Sequence, residues 1–411
     1  MELKKDAFKI IESAIESALP FAAVKKALEN EKFLGGRLLL ISIGKAAWSM
    51  AKATSDILED NISSGIVITK YGHSEGELKN IRIYEAGHPI SDSNSYLATK
   101  DAVQLVTGLT PDDTVLLLIS GGGSALFEDP LLEEVELQSI NEQLLACGAN
   151  IVEINTIRKR LSRVKGGKFA KLCEPAKVIS IVLSDIIGDP LDMIASGPAY
   201  PDSSTSEDAL GIVNKYHLNL SEKAKNLLSI ETPNTIDNVV TKITGSVNQL
   251  CEAARLKCIE LGYEPIVLTA SLACEAAEAG KFLGAIAKHY SKTKKSLAFI
   301  AGGETVVRIT GKGKGGRNQE LALAAAQEIK GLNNVSVFSV GSDGTDGPTD
   351  AAGGYVDGET VIKLNEKNMK VYDILINNDS YNGLKAVDGL IVTGPTGTNV
   401  NDLAVVLIKA N

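Results

Sequence analysis

Closely spaced carboxylates and glycines follow an apolar run in the carboxyl-terminal part of this sequence. Asp343 and Asp346 lie in the glycine-rich stretch 341–354, directly after residues 335–340. The β-branched and apolar residues of that run are typical of a buried strand, and ligands of α/β sheets bind outside the carboxyl ends of strands. Carboxylates are ligands that Mg²⁺ prefers. The stretch therefore predicts a metal-binding loop, although Asp and Gly are also common in plain surface turns.

A second pair of carboxylates follows another apolar run. Asp185 and Asp189 come after residues 177–183, and Ser196 and Gly197 follow them. Carboxylates that leave a buried strand can bind Mg²⁺ or accept a proton from a reacting hydroxyl group. Either Asp could instead cap a helix, because Asp is a preferred residue at helix amino termini.

Two other predicted strands end in loops that suit anions. Residues 38–43 are followed by Gly44 and Lys45, and a bound anion would explain a lysine where the helix dipole disfavours a cation. Residues 114–119 are followed by five residues that expose successive N–H groups, as phosphate-binding loops do, namely Ser120, Gly121, Gly122, Gly123 and Ser124. A solvated lysine and a flexible linker are the alternatives.

Positive charge in this acidic protein is concentrated between residues 155 and 168. Helical spacing places Arg158 and Lys165 on one face, and Arg160 with Arg163 in a second cluster. Guanidinium groups bind carboxylates and phosphates through paired hydrogen bonds, so this segment is a candidate anion site. A solvated basic helix is the alternative.

The segment 311–316 interleaves glycine with lysine before a predicted helix. It formally matches GxGxxG, but it is a poor dinucleotide fingerprint because no clear acidic residue ends the next strand at the required distance. Lys312 and Lys314 suit a mobile loop over a polyphosphate, and Arg317 would begin the helix near that anion.

The stretch 393–402 places hydroxyl and amide groups between two apolar runs. Thr393 and Thr396 could contact a polar ligand there, or the stretch could be a plain hairpin loop.

Several well-known motifs are absent from the sequence. It has no GxxxxGK[ST] loop, no GxSxG elbow and no HExxH pair, which argues against P-loop NTPases, α/β-hydrolases and zincins. The four histidines are scattered, so a histidine metal cage is not expected. His88, in the sequence Ala86-Gly-His-Pro89, could lie at a strand end near a cleft, but it is interpreted as a turn residue rather than a catalyst.

Composition and charge narrow the class of protein. A length of 411 residues predicts two domains, and a net charge of -9 without a basic block argues against nucleic acid or an anionic membrane as partner. No apolar run reaches the roughly 20 residues needed to span a bilayer, and the first residues form an amphipathic helix pattern rather than a signal peptide. Five cysteines without a CxxC pair favour a reducing cytoplasm.

Apolar runs alternate with helical patterns through most of the chain. This alternation predicts an α/β fold with parallel sheets. The least patterned stretch is 196–238, and a boundary placed there gives domains 1–235 and 236–411.

Taken together, the motifs resemble those of the class II glycerate kinases, also called the MOFRL family. The resemblance rests on the Gly44–Lys45 turn and on six motifs in order, 120–124, 155–168, 184–198, 302–320, 341–354 and 393–402. It implies an N-terminal Rossmann-like domain with a parallel sheet, a smaller C-terminal α/β domain and an active site in the interdomain cleft. It also implies ATP- and Mg²⁺-dependent phosphorylation of D-glycerate to 2-phosphoglycerate, a step of Entner–Doudoroff metabolism.

With that resemblance, roles are assigned as predictions. Lys45 with Arg158 or Arg160 would hold the glycerate carboxylate or the transferring phosphoryl group, beside Ser120, Thr393 and Thr396. ATP phosphates would lie against Gly121, Gly122, Gly123, Ser124, Lys312, Lys314, Gly316, Arg317 and Asn318. Mg²⁺ would be held by one or more of Asp185, Asp189, Asp343 and Asp346, and Asp189 would also accept the hydroxyl proton.

Three alternatives stay open at this point. The chain could be a nicotinamide-dependent hydroxypyruvate reductase, a label that some relatives of the family carry, but the poor GxGxxG match argues against it. It could phosphorylate the 3-hydroxyl group, or it could be a non-catalytic phosphosugar-binding regulator. A monomer and a homodimer are both expected possibilities.

Overall fold

A computed structural model describes residues 2–33, 35–188 and 190–410. Its strands are β1 (Leu38–Ile43), β2 (Ser64–Lys70), β3 (Ile81–Ala86), β4 (Thr114–Ile119), β5 (Lys177–Leu183), β6 (Val239–Gly245), β7 (Glu264–Leu272), β8 (Leu297–Gly303), β9 (Val335–Gly341), β10 (Gly353–Asp357), β11 (Leu390–Ile391) and β12 (Asp402–Ile408).

The helices alternate with these strands through most of the chain. They are α1 (Glu2–Ala18), α2 (Pro20–Leu28), α3 (Ala47–Leu58), α4 (Ser93–Leu105), α5 (Gly123–Leu126), α6 (Glu134–Ala146), α7 (Ile151–Leu161), α8 (Lys168–Leu172), α9 (Ser206–Tyr216), α10 (Glu222–Leu228), α11 (Val247–Glu260), α12 (Ala276–Tyr290), α13 (Arg317–Glu328), α14 (Thr360–Glu366), α15 (Val371–Ile376) and α16 (Ser380–Ala386). Among the described residues, no helix is both long and apolar enough to cross a membrane.

The chain forms two compact units. The first unit comprises Val24–Leu183 and Asp189–Thr244, and the second comprises Met1–Ala23, Ser184–Gly188 and Gly245–Asn411. The predicted boundary at residue 235 falls between α10 and β6, and the division into domains 1–235 and 236–411 stays a prediction. The second unit includes α1 because α1 and α11 pack together with the sheet of that unit in one apolar core.

The first unit contains a six-stranded sheet with the order β3-β2-β1-β4-β5-β6. The pairings with a described register are all parallel, for example Ile41 with Ile66 on one side and with Leu117 on the other. Strands β1 and β4 are buried along their whole length, because the sheet is covered on both faces. This is the order of a doubly wound sheet, which confirms the predicted Rossmann-like architecture and places its switch point between β1 and β4.

The second unit contains a mixed sheet with the order β11-β10-β9-β12-β8-β7. Only β7 and β8 pair in parallel among the described registers, whereas β12 runs antiparallel to both β8 and β9. The expectation of parallel sheets is therefore wrong for this unit. Residues 392–401 connect β11 to β12 without a helix, and an apolar run alone does not reveal the direction of its strand.

Alternate residues of the central strands pack on opposite faces of the second sheet. Ile300 and Val405 pack in the core that contains α1 and α11. Phe299 and Val406 pack in the core that contains α12 and α13. Because both faces are covered, polar groups that serve a ligand must lie at the ends of the strands, where the loops are.

Candidate active site

In the first unit, the loops after β1 and β4 meet at the switch point of the sheet. The backbone N–H of Lys45 donates to the carbonyl of Gly121 at 2.8 Å, and the N–H of Ala46 donates to Ser120 Oγ at 3.1 Å. Ser120 is buried, and its hydroxyl also donates to the Ile43 carbonyl at 3.2 Å. The two loops are therefore fixed to each other, and Ser120 is placed to hold them together rather than to reach a ligand.

Gly122 lies between the side chains of Lys45 and His88. Its φ of +87° is left-handed, and a Cβ there would lie 3.0 Å from His88 Cδ2 and 3.2 Å from Lys45 Cγ. Lys45 itself is exposed. The pKa of His88 is lowered, first by burial and then by the charges of Lys45, Lys70 and His73. An unprotonated imidazole and an ammonium group thus flank the glycine loop.

The sequence left two interpretations of His88, a turn residue and a residue at a strand end near a cleft. The structure places it directly after β3, beside the glycine loop. The Gly-His-Pro sequence gives no catalytic signal of its own, so the turn was the preferred interpretation.

Strained backbone supports the other end of the glycine loop. Ala195 and Ser196 have φ values of +51° and +59°, which cost free energy in residues other than glycine and are concentrated at functional sites. Ser196 Oγ lies 3.0 Å from Ser124 Oγ and 2.9 Å from Asn155 Oδ1. A Cβ at Gly123 would lie 2.6 Å from that of Ala195, so only glycine fits there.

Arg158 is a half-buried guanidinium group that feels the charge of Glu128 but makes no direct ion pair within the described part of the chain. Its Nε donates to Asn141 Oδ1 at 2.7 Å. No carboxylate of the described residues forms an ion pair with it, and burial lowers its pKa. An anionic ligand would restore the electrostatic stabilisation that burial removes, so Arg158 fits the predicted anion contact.

The remaining cations of segment 155–168 serve the scaffold. Arg160 is buried, with its Nη2 3.1 Å from Glu231 Oε2 and its Nη1 2.9 Å from Ser204 Oγ. The geometry therefore assigns Arg160 a structural role in place of the predicted substrate contact. Lys165 is buried against Glu128 at 2.6 Å, and Lys168 Nζ donates to carbonyls at the end of α7.

Burial governs the protonation of these lysines. It lowers the pKa of Lys168 to about 8. The sequence left two interpretations of this segment, an anion site and a solvated basic helix. Most of its cations fit neither interpretation, because they are bound to groups of the protein.

In the second unit, an arginine and two carboxylates gather at one edge of the sheet. Arg317 begins α13, and its Nε and Nη2 donate to the two carboxylate oxygens of Asp402 at 2.6 and 3.1 Å. Its Nη1 donates to Glu304 Oε1 at 2.7 Å. Glu304 follows β8 and Asp402 begins the adjacent antiparallel β12, so sheet pairing brings the two acids together.

Asp346 caps helix α13. Its Oδ1 accepts from the N–H of Asn318 at 3.1 Å, and its Oδ2 accepts from the N–H of Gln319 at 2.8 Å. Gly316 lies so close to this carboxylate that a Cβ there would collide with it. Because both oxygens bind helix N–H groups, the arrangement favours capping over the predicted metal contact.

The other predicted metal ligands have contacts within the protein or lie outside the described residues. Asp343 is half-buried, and its Oδ1 accepts from the N–H of Thr345 at 2.9 Å. The carbonyl of Asp185 accepts from Asn401 Nδ2 at 3.1 Å. Asp189, the predicted base, lies outside the described residues. Among the described residues, no group of three or more His, Cys, Asp or Glu is placed to hold a metal ion.

The glycine–lysine loop is held by the protein itself. The N–H groups of Lys312 and Lys314 donate to Asn377 Oδ1 at 3.2 Å and Asp379 Oδ1 at 2.9 Å. Gly311 N donates to Asn378 Oδ1 at 2.9 Å and Gly313 N donates to the Asn377 carbonyl at 2.7 Å. These N–H groups are thus occupied and do not cradle phosphates in this arrangement. The sequence could not show this, because residues 377–379 are remote in the chain.

The two predicted threonines and Asn318 have identifiable contacts. Thr396 Oγ1 donates to the Ser342 carbonyl at 2.6 Å, which fixes the Asp343 loop, whereas Thr393 is exposed and donates to the carbonyl of Gly394 at 2.9 Å. Asn318 Oδ1 accepts from Ser339 Oγ at 2.6 Å inside the unit. Thr396 and Asn318 therefore support the loops around the site.

A cavity of about 690 Å³ opens beside this network in the second unit. Its polar wall includes Glu304, Arg317, Asp343, Thr345 and Asp346. Its size is within the range of small-molecule sites, roughly 300–1,000 Å³.

Asp346 provides a test of this geometry through stability. Burial raises its pKa to about 6, above the value of 3.8 of an exposed Asp. The folded state therefore retains a proton that the unfolded state releases between about pH 4 and pH 6, so this group contributes less stability as pH rises. The quantity compared is the free energy of unfolding of Asp346→Asn minus that of the wild type. We expect it to rise by about 2.4 kcal/mol from pH 4 to pH 7.

Urea unfolding at several pH values measures this difference. Asp350→Asn is the matched control, because the Tyr381 hydroxyl lowers the pKa of the exposed Asp350 carboxyl. The free energy of unfolding of Asp350→Asn, minus that of the wild type, should therefore fall as pH rises. If the difference for Asp346→Asn did not change with pH, Asp346 would not be a buried carboxylate that caps α13.

Comparison with known proteins identifies the family. Residues 6–229 match a family described as a domain of unknown function (DUF4147), and residues 297–402 match the MOFRL family. A Thermotoga maritima protein named D-glycerate 2-kinase is 51% identical over 99% of this chain and 98% of its own. A crystal structure of glycerate kinase from Thermotoga maritima has a TM-score of 0.93 at 50% identity and covers 99% of each chain. An Agrobacterium vitis protein with a provisional hydroxypyruvate reductase name is 37% identical over 97% of this chain and 93% of its own.

Two α/β units with cations, hydroxyls and glycine loops at the ends of their strands fit a phosphotransferase. The chain belongs to the class II glycerate kinases of the MOFRL family, as the motifs predicted, and it is an enzyme of the kinase class.

Proposed function

We propose that this protein transfers the γ-phosphoryl group of ATP to the 2-hydroxyl group of D-glycerate, in a reaction that requires Mg²⁺. The observation that carries the proposal is the 51% identity, over nearly the whole chain, to a protein named D-glycerate 2-kinase. The geometry supports it in each unit, because the first offers unpaired cations and the second offers a cavity with polar walls.

The acceptor substrate is bound by the first unit. Lys45, in the loop after β1, and Arg158, on α7, form no ion pair with a carboxylate of the described residues, and either can pair with the glycerate carboxylate. The hydroxyls of Ser124 and Ser196 and the amide of Asn155 form one hydrogen-bonded group beside them that can orient the glycerate hydroxyls. The glycine loop allows close approach of the substrate to the backbone.

The nucleotide is bound by the second unit, and the reaction requires both units. Mg²⁺ neutralises phosphate charge when it is bound, and it usually takes one or two protein carboxylates together with phosphate oxygens. Asp343 fits this role because it lines the cavity and one described hydrogen bond reaches its carboxylate. That the two units share one active site, as the sequence predicts, stays a prediction.

Phosphoryl transfer forms a bond between the substrate oxygen and the γ-phosphorus while the bond to the bridging oxygen of ADP breaks. The hydroxyl proton must leave to a base. Asp189 remains the predicted base, and His88 is a second candidate because its lowered pKa keeps the imidazole unprotonated near neutral pH. Cytoplasmic localisation and the choice between monomer and homodimer stay predictions.

The proposal is tested by identifying the product. Purified protein is incubated with D-glycerate, ATP and Mg²⁺, ADP release is followed by a coupled assay, and the product is examined by ³¹P and ¹H NMR. We expect the phosphorus to couple to the proton on C2. Coupling to the C3 protons would assign 3-phosphorylation. NADH oxidation with hydroxypyruvate, in the absence of ADP release with glycerate, would establish the reductase instead.

A further inference from the structure

The cavity of the second unit is lined by apolar as well as charged side chains. Val306 and Ile309 line it with 60% and 81% of their surfaces exposed, and Pro348 lines it as well. Apolar side chains that remain exposed beside a cavity can pack on the face of a planar ring. Gly313 and Gly315 also line the cavity, so its wall carries no side chain at these two positions.

A buried carboxylate lies in the wall of the same cavity. Glu320, on α13, is 6% exposed, and its Oε2 accepts from Asn378 Nδ2 at 3.2 Å. No other hydrogen bond reaches this carboxylate from the described residues. Burial raises its pKa, because one amide does not replace the water that a carboxylate loses. An acceptor with so few protein partners in a cavity wall is available to a hydrogen-bond donor of a ligand.

Asn378 holds this carboxylate in a fixed place. Its Oδ1 accepts from the N–H groups of Thr310 at 2.7 Å and Gly311 at 2.9 Å, and its Nδ2 also donates to the carbonyl of Arg308 at 3.1 Å. The amide is therefore fully used, and the acceptor that faces a ligand is Glu320. Arg317 and Thr345 line the charged part of the same cavity.

We propose that this cavity binds the purine base of the phosphoryl donor, and that Glu320 accepts a hydrogen bond from the exocyclic 6-amino group of adenine. The ring would lie against Val306 and Ile309, and the phosphates would extend toward Arg317. A 6-oxopurine such as guanine would place a carbonyl acceptor against the carboxylate, which leaves both groups unpaired. Glu320 is thus a specificity-determining residue for ATP over GTP. This inference rests on the proposed function in one respect, namely that the donor is a nucleotide.

The experiment compares Glu320→Gln with a matched control, Glu328→Gln. The control makes the same change in a half-exposed side chain at the other end of α13. The kcat/KM values for ATP and GTP are measured at saturating glycerate, with the KM for glycerate. A site built to hydrogen-bond a substrate group discriminates strongly against an analogue that lacks it, so we expect the ATP:GTP ratio to fall by at least about tenfold in Glu320→Gln. The ratio should be unchanged in Glu328→Gln, and the KM for glycerate should be unchanged in both.

A second variant tests the apolar wall without disturbing the core. Ile309→Glu changes an exposed side chain, so folding should be retained, and the anion should raise the KM for ATP by roughly tenfold through repulsion and lost ring contact. Ile230→Glu, at another exposed isoleucine outside the cavity, is the matched control and should leave the KM for ATP unchanged.

Binding of fluorescent N-methylanthraniloyl ATP without glycerate separates this inference from the proposed function. ATP binding that is weakened by Glu320→Gln and Ile309→Glu, in a protein that does not phosphorylate glycerate, would support the cavity and overturn the function. Normal turnover, with an ATP:GTP ratio and ATP affinity that neither variant changes, would overturn the cavity alone. Absence of both binding and turnover in the wild type would overturn both.

Discussion

Lys45→Ala is expected to reduce kcat/KM for D-glycerate by about a thousandfold, the scale on which removal of a preorganised charge-stabilising group acts. The backbone of Lys45 is fixed by Gly121 and by the Thr69 hydroxyl, which donates to the Lys45 carbonyl at 3.3 Å. Its side chain is exposed and makes no ion pair with a described carboxylate, so it is available to an anion. The measurement is steady-state kinetics with a coupled ADP assay.

Stability should hardly change in the same variant. Substitution of an exposed side chain away from the core typically changes the free energy of unfolding by less than about 0.5 kcal/mol. Lys52→Ala is the matched control, since Lys52 is an exposed lysine on α3 whose partner is Asp56, one helical turn away. Turnover by Lys45→Ala within a few-fold of that of Lys52→Ala would show that this lysine is merely solvated.

The sequence was most informative where chemistry depends on the ends of strands. The runs that precede Lys45, Ser120 and Asp343 are all buried strands in the structure. Burial makes such runs uniformly apolar, and the glycines and charges after them mark the edge of the sheet. The loops of the first unit could therefore be located from the sequence. The strands of this unit follow the common doubly wound order, in which such loops lie at the site.

Prediction failed where the role of a residue depends on a remote partner. Arg160 and Arg158 are two positions apart on one helix, yet of the two only Arg160 forms ion pairs with described carboxylates, those of Glu231 and Asp202. The N–H groups of 311–314 bind residues 377–379, and the carboxylate of Asp346 binds the amino end of α13. Each of these outcomes is set by tertiary packing, which residue type and local spacing do not encode.

Arg317→Ala is expected to lose both activity and stability, for separable reasons. The arginine lines the cavity and pairs with Asp402, whose side chain is 8% exposed, and with Glu304. Removal of one partner of a fully buried pair typically costs about 3–5 kcal/mol, and the loss here should be smaller because Arg317 is 32% exposed while Asp402 is left buried. Loss of the guanidinium should also lower kcat/KM with ATP by at least a hundredfold if it neutralises phosphate charge.

The stability deficit of Arg317→Ala should depend on pH. Burial already raises the pKa of Asp402 despite Arg317, and loss of the cation would raise it further. A carboxylate with a raised pKa in the folded state stabilises that state while protonated, and this stability is lost as pH rises through the folded-state pKa. The deficit relative to the wild type should therefore be larger at pH 8 than at pH 5, as measured by urea unfolding at both values.

The double variant Arg317→Ala/Asp402→Asn separates the two effects. An amide at position 402 removes the unpaired charge, so most of the lost free energy of unfolding should return at pH 8, and the pH dependence of the deficit should disappear. Activity should not return, because the cation that faces the nucleotide is still missing. Recovery of kcat/KM together with stability would show that Arg317 acts only as a counterion for Asp402 and has no part in phosphoryl transfer.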